Sequence, residues 1–118
     1  MEQLLTAYIE CALWSTTDES TPQGGEPLDT NYGPTDLTPE TLERMRADCE
    51  AFLNANTGDI GTAYTRTGHD FWLTRNRHGA GFWDGDWPED VGERLTRAAH
   101  AFGECELYVG DDAKVYAF

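Results

Sequence analysis

The stretch Gly68–Trp87, GHDFWLTRNRHGAGFWDGDW, is the segment from which we predict the fold of this chain. In its first part the residues alternate, so that an extended backbone would place His69, Phe71 and Leu73 on one face. Alternation with a period of two predicts a strand, NRHGAG predicts a turn, and GFWDG predicts a second strand. We therefore predict a β-hairpin here. Its apolar side chains are expected in the core: Phe71, Leu73, Phe82 and either Trp72 or Trp83.

Helical periodicity lies on both sides of this segment. Apolar residues recur every three or four positions over residues 2–14, after Thr38 and after Pro88, which predicts three amphipathic helices. Thr38 is a good N-cap for the second helix, and Gly103 is a good stop for the third. A short helical turn is expected around residues 60–64.

The remaining segments complete the predicted architecture. ELYVG and KVYAF, on either side of a polar turn, predict a second hairpin at the end of the chain. Residues 15–37 show no periodicity and are rich in Pro, Gly and acidic residues, so we expect a long acidic loop there. The prediction is a single α+β domain over residues 1–118, in which a mainly antiparallel sheet of two hairpins packs against three helices.

Charge is the most unusual property of the composition. The chain has 22 Asp and Glu against 8 Lys and Arg, a formal net charge of -14, and no Lys or Arg occurs between Met1 and Glu43. A field of this sign repels nucleic acid and anionic membranes and attracts basic surfaces. We therefore expect a basic protein as partner, with its nucleic-acid-binding groove as the contact, and leave homo-oligomers open.

Four acidic residues at helical spacing are the predicted partner-binding site: Asp36, Glu40, Glu43 and Glu50. Carboxylates three or four residues apart on a helix lie about 5–6 Å from each other. A row of negative charges at such spacing resembles a phosphate backbone, so a basic groove would accept it with salt-sensitive affinity. The alternative is that the acidity only keeps the domain soluble.

Histidine and aspartate residues of the predicted hairpin allow a second interpretation, a small enzyme that uses His69, His78 and Asp84. Strand geometry argues against it, because His69 and Asp70 would lie on opposite faces and His78 would lie in an exposed turn. The same histidines with Asp84 and Asp86 match no zinc-binding spacing. We therefore predict no catalytic residue, no metal and no cofactor.

The turn Arg75–Gly81 contains the only basic cluster and offers two interpretations. Glycines beside arginines can hold a phosphate, but the motif is neither GxGxxG nor a P-loop. We favour an ordinary turn whose arginines pair with nearby acids.

The cysteines and the N-terminus indicate the compartment. Cys11, Cys49 and Cys105 are odd in number and widely spaced, so we expect free thiols, buried at Cys11 and Cys49. The first residues lack the pattern of a secretory signal, and no apolar run is long enough to span a bilayer. We expect a reducing cytoplasm, that of a host cell if the following resemblance holds.

The run GHDFWLTRN with GAGFWD resembles a recurring block in small, acidic, uncharacterised proteins of bacteriophages and prophages, and AFGECELYVGDDAKVY is similar to the end of these proteins. The resemblance covers the C-terminal half strongly and the first helix more loosely. It implies a phage setting and no catalytic residues. Together with size and charge it leads us to expect a phage-encoded inhibitor of a host nucleic-acid-handling or defence protein, with a phage accessory protein as another alternative.

Overall fold

The structure, a computed structural model, describes residues 1–118. Five helices provide most of the regular structure: α1 (Glu2–Ser15), α2 (Pro39–Ala55), α3 (Thr57–Ile60), α4 (Tyr64–Arg75) and α5 (Glu89–His100). Two separate antiparallel ribbons complete it: β1 (Thr17–Asp18) with β2 (Glu26–Pro27), and β3 (Leu107–Val109) with β4 (Val115–Ala117). The fold mixes helix and strand as predicted, but helices dominate it.

The predicted hairpin over residues 69–85 is wrong. Residues 69–75 form the second half of α4, and residues 81–85 contain no strand. α4 buries Thr67, Gly68 and all of residues 70–75, so its side chains meet the interior on nearly every side. Residues 70–75 are buried on every side of the helix and show no apolar stripe with a period of 3.6, which is why a short alternating run dominates the sequence pattern there. The predicted sheet of two hairpins is therefore absent, and each ribbon has only two strands.

Gly68 explains how α4 packs against α1. A Cβ atom at this position would lie 2.1 Å from the carbonyl oxygen of Leu4 and 2.9 Å from the amide nitrogen of Tyr8. Real Cβ atoms do not approach backbone so closely, so only glycine allows the two helices to cross at this distance. α1 contributes its buried residues to this packing: Leu4, Leu5, Ala7, Tyr8, Ile9, Cys11, Ala12 and Leu13.

Aromatic rings from three helices form the centre of the core. Phe52 of α2 stacks on Phe71 of α4 with ring centroids 4.1 Å apart, and Phe102, just after α5, meets Phe71 edge-on at 5.1 Å. The predicted core residues Phe71, Trp72, Leu73 and Phe82 are all buried. Trp83 is 55% exposed, so Trp72 is the tryptophan that fills the core.

The predicted helix signals and the second hairpin are confirmed. The Thr38 hydroxyl accepts the Thr41 backbone N–H at 3.1 Å, and α2 begins at Pro39. Gly103 follows α5 with a φ of 75°, the left-handed conformation that ends a helix and favours glycine. Tyr108 pairs with Tyr116 in the C-terminal ribbon, as predicted for ELYVG and KVYAF.

The acidic segment after α1 has more structure than predicted. It contains the β1–β2 ribbon and two short 3₁₀ turns, Leu28–Thr30 and Pro34–Asp36. The buried side chain of Leu28 holds the segment against the core. All three cysteines are buried free thiols, which confirms the prediction for Cys11 and Cys49. None of the helices combines the length and the apolar character that crossing a bilayer would require.

Candidate functional site

Three of the four predicted partner-binding residues lie together on α2. Glu40, Glu43 and Glu50 are exposed, and their spacing places them on one side of the helix, with exposed Ala47 between them. A helix rises about 1.5 Å per residue, so the row extends over about 15 Å. Asp36 lies outside α2 and is half-buried, and its carboxylate accepts the Gly33 backbone N–H at 2.8 Å. Asp36 therefore stabilises a turn and does not extend the row.

Two arginines border the row. Arg46 forms an ion pair with Glu2 of α1, which lowers the pKa of the Glu2 carboxyl through the hydrogen bond and the charge of the guanidinium. Arg44 is exposed and forms no ion pair. The acidic face is thus narrow, since a basic residue lies on each side of it.

Three of the other six basic residues form ion pairs within the protein. Arg75 pairs with Asp48, Arg94 with Asp59 and Asp90, and Arg97 with Glu93. With Arg46, half of the eight basic residues form ion pairs, and these pairs involve only five of the 22 acidic residues. The surface therefore keeps nearly all of the negative field that the composition predicts.

Arg75 cannot take part in a phosphate-binding turn. Only 2% of the residue is exposed, and its guanidinium contacts the Tyr8 hydroxyl, Asp48 and two backbone carbonyls inside the core. The predicted basic cluster of the turn is therefore reduced to exposed Arg77 and His78. The favoured interpretation, arginines paired with acids, holds for Arg75, although its partner Asp48 is distant in sequence.

A second candidate site is a cleft of about 810 Å³ between α1, the start of α4 and the segment after α4. It brings His69, Asp70 and Asp84 together. His69 and Asp70 can both face the cleft because consecutive residues of a helix are only about 100° apart around the axis. The expectation that His69 and Asp70 face opposite ways was therefore wrong. His78 lines a different cavity, so the predicted His69–His78–Asp84 group does not form.

Carboxylates dominate the cleft. Its ionisable lining consists of five acids, one arginine and one histidine: Glu10, Asp29, Asp70, Asp84, Asp86, Arg66 and His69. Trp14, which is 58% exposed, adds an aromatic wall, with its ring centroid 6.3 Å from that of His69. The Arg66 guanidinium is held against the Trp87 ring and donates to the backbone oxygen of Asp86 at 3.1 Å.

Asp70 is the buried member of this group. Its Oδ2 accepts the indole N–H of Trp87 at 2.8 Å, and its Oδ1 lies 3.6 Å from Nδ1 of His69. Burial raises the pKa of the Asp70 carboxyl, and the Trp87 hydrogen bond only partly opposes this. Sequence reasoning treated Asp70 as a strand residue and missed this role, since the Trp87 partner is 17 positions away.

The chemistry of the cleft suits cation binding better than covalent catalysis. Burial raises the pKa of the Cys11 thiol to about 12, so this sulfur is protonated near neutral pH and is a poor nucleophile. Asp84 accepts the Gly81 backbone N–H at 3.3 Å and so shapes the turn beside the cleft. Carboxylates beside an exposed tryptophan are groups that attract guanidinium and ammonium ions. Nowhere in the chain are three or more His, Cys, Asp or Glu side chains grouped so that they could hold a metal ion.

Comparison with known proteins gives no relative. No family model, no curated protein and no solved structure matches the chain. The site must therefore be interpreted from its own geometry and charge.

Proposed function

We propose that this chain is an acidic binding protein that attaches to the basic groove of another protein, one that normally holds nucleic acid. The observation that carries the proposal is the exposed row Glu40, Glu43 and Glu50, in which no residue forms an ion pair within the chain. Arg44 and Arg46 border the row but do not pair with it. The guanidinium of Arg46 is committed to Glu2. The row is therefore available for positive charges of a partner.

The sign and the position of the charges support an inhibitory form of this function. Glu40 and Glu43 lie about 5–6 Å apart on a rigid helix, and Glu50 lies two turns further on, about 10 Å from Glu43. The helix therefore holds three negative charges in a line without the flexibility of a disordered tail. A groove built for phosphates would bind such a surface and lose access to its nucleic acid. The resemblance to phage proteins suggests a host defence or nucleic-acid-handling protein as the target.

The cleft supports the same class of partner in a second way. A single arginine or lysine side chain of the partner would enter among Glu10, Asp84 and Asp86 and lie against Trp14. A cation over a tryptophan face contributes about 0.5–1 kcal/mol at exposed sites and more when it is desolvated. The row on α2 would then attract the partner, and the cleft would hold one of its side chains.

Capture from a bacterial lysate tests the proposal. Immobilised protein is incubated with nuclease-treated lysate at low salt, and bound proteins are identified before and after a high-salt wash. The test variant carries Glu40→Lys, Glu43→Lys and Glu50→Lys. The control variant carries Glu26→Lys, Glu89→Lys and Asp111→Lys, the same change of net charge at exposed positions elsewhere.

We expect wild type and control to retain the same nucleic-acid-binding proteins at low salt and to release them at high salt. The α2 variant should lose them, because its row has changed sign. Equal capture by both variants would show that net charge alone acts, and retention at high salt would show that the binding is not electrostatic.

A further inference from the structure

The two long edges of the C-terminal ribbon differ in how their backbone groups are satisfied. On the β4 edge, Val115 accepts the Thr38 backbone N–H at 3.1 Å, and Ala117 donates its N–H to the Thr41 hydroxyl at 3.2 Å. The start of α2 therefore covers this edge. No element covers the β3 edge in the same way.

The register shows which backbone groups of β3 have no hydrogen-bond partner in β4. Glu106 and Phe118 exchange both of their backbone hydrogen bonds at 2.9 Å, and Gly110 donates to Lys114 at 2.9 Å. Hydrogen-bonded and non-bonded pairs alternate along an antiparallel ladder, so Leu107 and Val109 belong to non-bonded pairs. Their N–H and C=O groups point away from β4. The open edge begins only after Cys105, whose N–H is taken by the Asn76 side chain at 2.8 Å.

A groove runs along this open edge. It consists of two adjoining cavities of about 330 and 260 Å³, which share Thr17, Glu19, Glu106 and Leu107. Thr17 of β1 forms part of the opposite wall, and the pairing of β1 with β2 leaves its backbone groups pointing away from β2. The groove therefore lies between backbone groups that have no strand partner.

The lining of the groove indicates the charge of what would bind. Glu19, Glu104 and Glu106 line it, and neither cavity contains a lysine or arginine. Tyr108 and Phe118, which are 44% and 62% exposed, stand beside it with ring centroids 5.2 Å apart. Carboxylates and aromatic faces together favour a cationic side chain over an acidic or neutral one.

We propose that the groove binds an extended, basic polypeptide segment, which adds to the open edge of β3 as a third strand. The backbone of the segment would pair with Leu107 and Val109. Its alternate side chains would be lysines or arginines beside Glu106 and Tyr108. The positive charge of the segment rests on the proposed function as well as on the lining of the groove. The addition of a strand is inferred only from the unpaired backbone groups of β3.

Amide hydrogen exchange followed by NMR tests this directly with three synthetic peptides. The probe alternates Lys and Val. One matched peptide replaces Lys by Glu, and another carries N-methyl groups at alternate residues, so it cannot form a ladder. In the free protein we expect the N–H groups of Leu107 and Val109, which have no hydrogen-bond partner, to exchange faster than those of Tyr108 and Gly110, which pair with Tyr116 and Lys114.

Saturating Lys–Val peptide should slow exchange at Leu107 and Val109 about tenfold or more, while the other two peptides should not. Val109→Pro removes an edge donor that the ladder does not use and should weaken binding about tenfold relative to Val109→Ala. Should the proline variant fail to fold, Glu19→Gln with Glu106→Gln serves instead and should weaken binding of the Lys–Val peptide specifically.

Several results would overturn the proposal. Binding without slower exchange at Leu107 and Val109 would place the peptide elsewhere on the acidic surface. Equal protection by the Glu–Val peptide would remove the role of charge. Protection that rises with protein concentration in the absence of peptide would make a second copy of this chain the occupant. The variant with lysines at residues 40, 43 and 50 should still show the peptide effect, so failure here is distinguishable from failure of the proposed function.

Discussion

The guanidinium of Arg75 connects three parts of the core. It donates to the Tyr8 hydroxyl at 2.9 Å, to the Asp48 carboxylate at 2.7 Å, and to the backbone oxygens of Phe102 and Gly103. It also lies over the Phe71 and Phe102 rings, 5.5 and 5.7 Å from their centroids. One side chain therefore supplies hydrogen-bond donors to groups of α1, of α2 and of the segment just after α5.

Arg75→Met should cost about 3–5 kcal/mol of unfolding free energy, because it leaves a half-buried carboxylate and two carbonyls without a donor. Arg77→Met, at an exposed neighbouring position, should change stability by no more than about 0.5 kcal/mol. Urea unfolding followed by circular dichroism measures both. Equal stabilities of the two variants would mean that the Arg75 network contributes little.

Asp70 should make stability depend on pH in an unusual direction. Burial raises the pKa of this carboxyl in the folded protein, so the folded state holds its proton to a higher pH than the unfolded chain does. The contribution of Asp70 is therefore most favourable at low pH, and it is lost as pH rises from the unfolded pKa through the folded one.

Asp70→Asn removes this charge and keeps an oxygen that can accept the Trp87 indole N–H. We expect the variant to be more stable than wild type at pH 7, and the difference to shrink as pH falls through the pKa of Asp70. Urea midpoints at several pH values measure this, with Asp86→Asn, an exposed carboxylate of the same cleft, as control. A variant less stable than wild type at pH 7 would show that the buried charge is favourable.

At the scale of elements, the crossing of α1 and α4 depends on Gly68. Gly68→Ala should destabilise the protein by about 1–3 kcal/mol, because the added methyl group meets backbone that cannot move aside easily. Gly58, in α3, has open space around its Cβ position, so Gly58→Ala should gain about 0.4–1 kcal/mol instead. Thermal unfolding of both variants gives the comparison, and equal changes in Tm would refute close packing at Gly68.

The elements differ in how well their sequence predicts them. α2 and α5 have one exposed side, N-terminal and C-terminal signals such as Thr38 and Gly103, and a stripe that matches the helical period, so both could be predicted. The second half of α4, residues 70–75, lies inside the protein, and its burial is decided by α1, α2 and α5 together. No local pattern contains that information, so a helix was mistaken for a strand.

The candidate sites divide in the same way. The exposed row Glu40, Glu43 and Glu50 could be predicted because it depends only on spacing along one helix. The cleft could not be predicted from the sequence, because Glu10 and Trp14 of α1 come near Asp70 and Asp86 only after the helices have packed. The open edge of β3 also depends on long-range contacts, those between β4 and Thr38 and Thr41.

At the scale of the whole molecule, negative charge remains after folding. Four arginines form ion pairs with five acidic residues, and the other carboxylates of a chain with net charge -14 have no lysine or arginine within ion-pair distance. Such a surface costs some stability through self-repulsion, and added salt screens that repulsion. Added salt should therefore raise the stability of the protein, whereas it should lower the affinity of any binding that depends on the negative charge.

Displacement of DNA measures most directly whether the protein, as proposed, occupies a basic groove that otherwise holds nucleic acid. Fluorescently labelled DNA is bound to a protein captured from the lysate, and the unlabelled chain is titrated in at low salt while anisotropy is followed. We expect the wild type and the control with lysines at residues 26, 89 and 111 to displace the DNA completely. The variant with lysines at residues 40, 43 and 50 should displace it much less. DNA that stays bound while the wild-type chain binds beside it would contradict the claim.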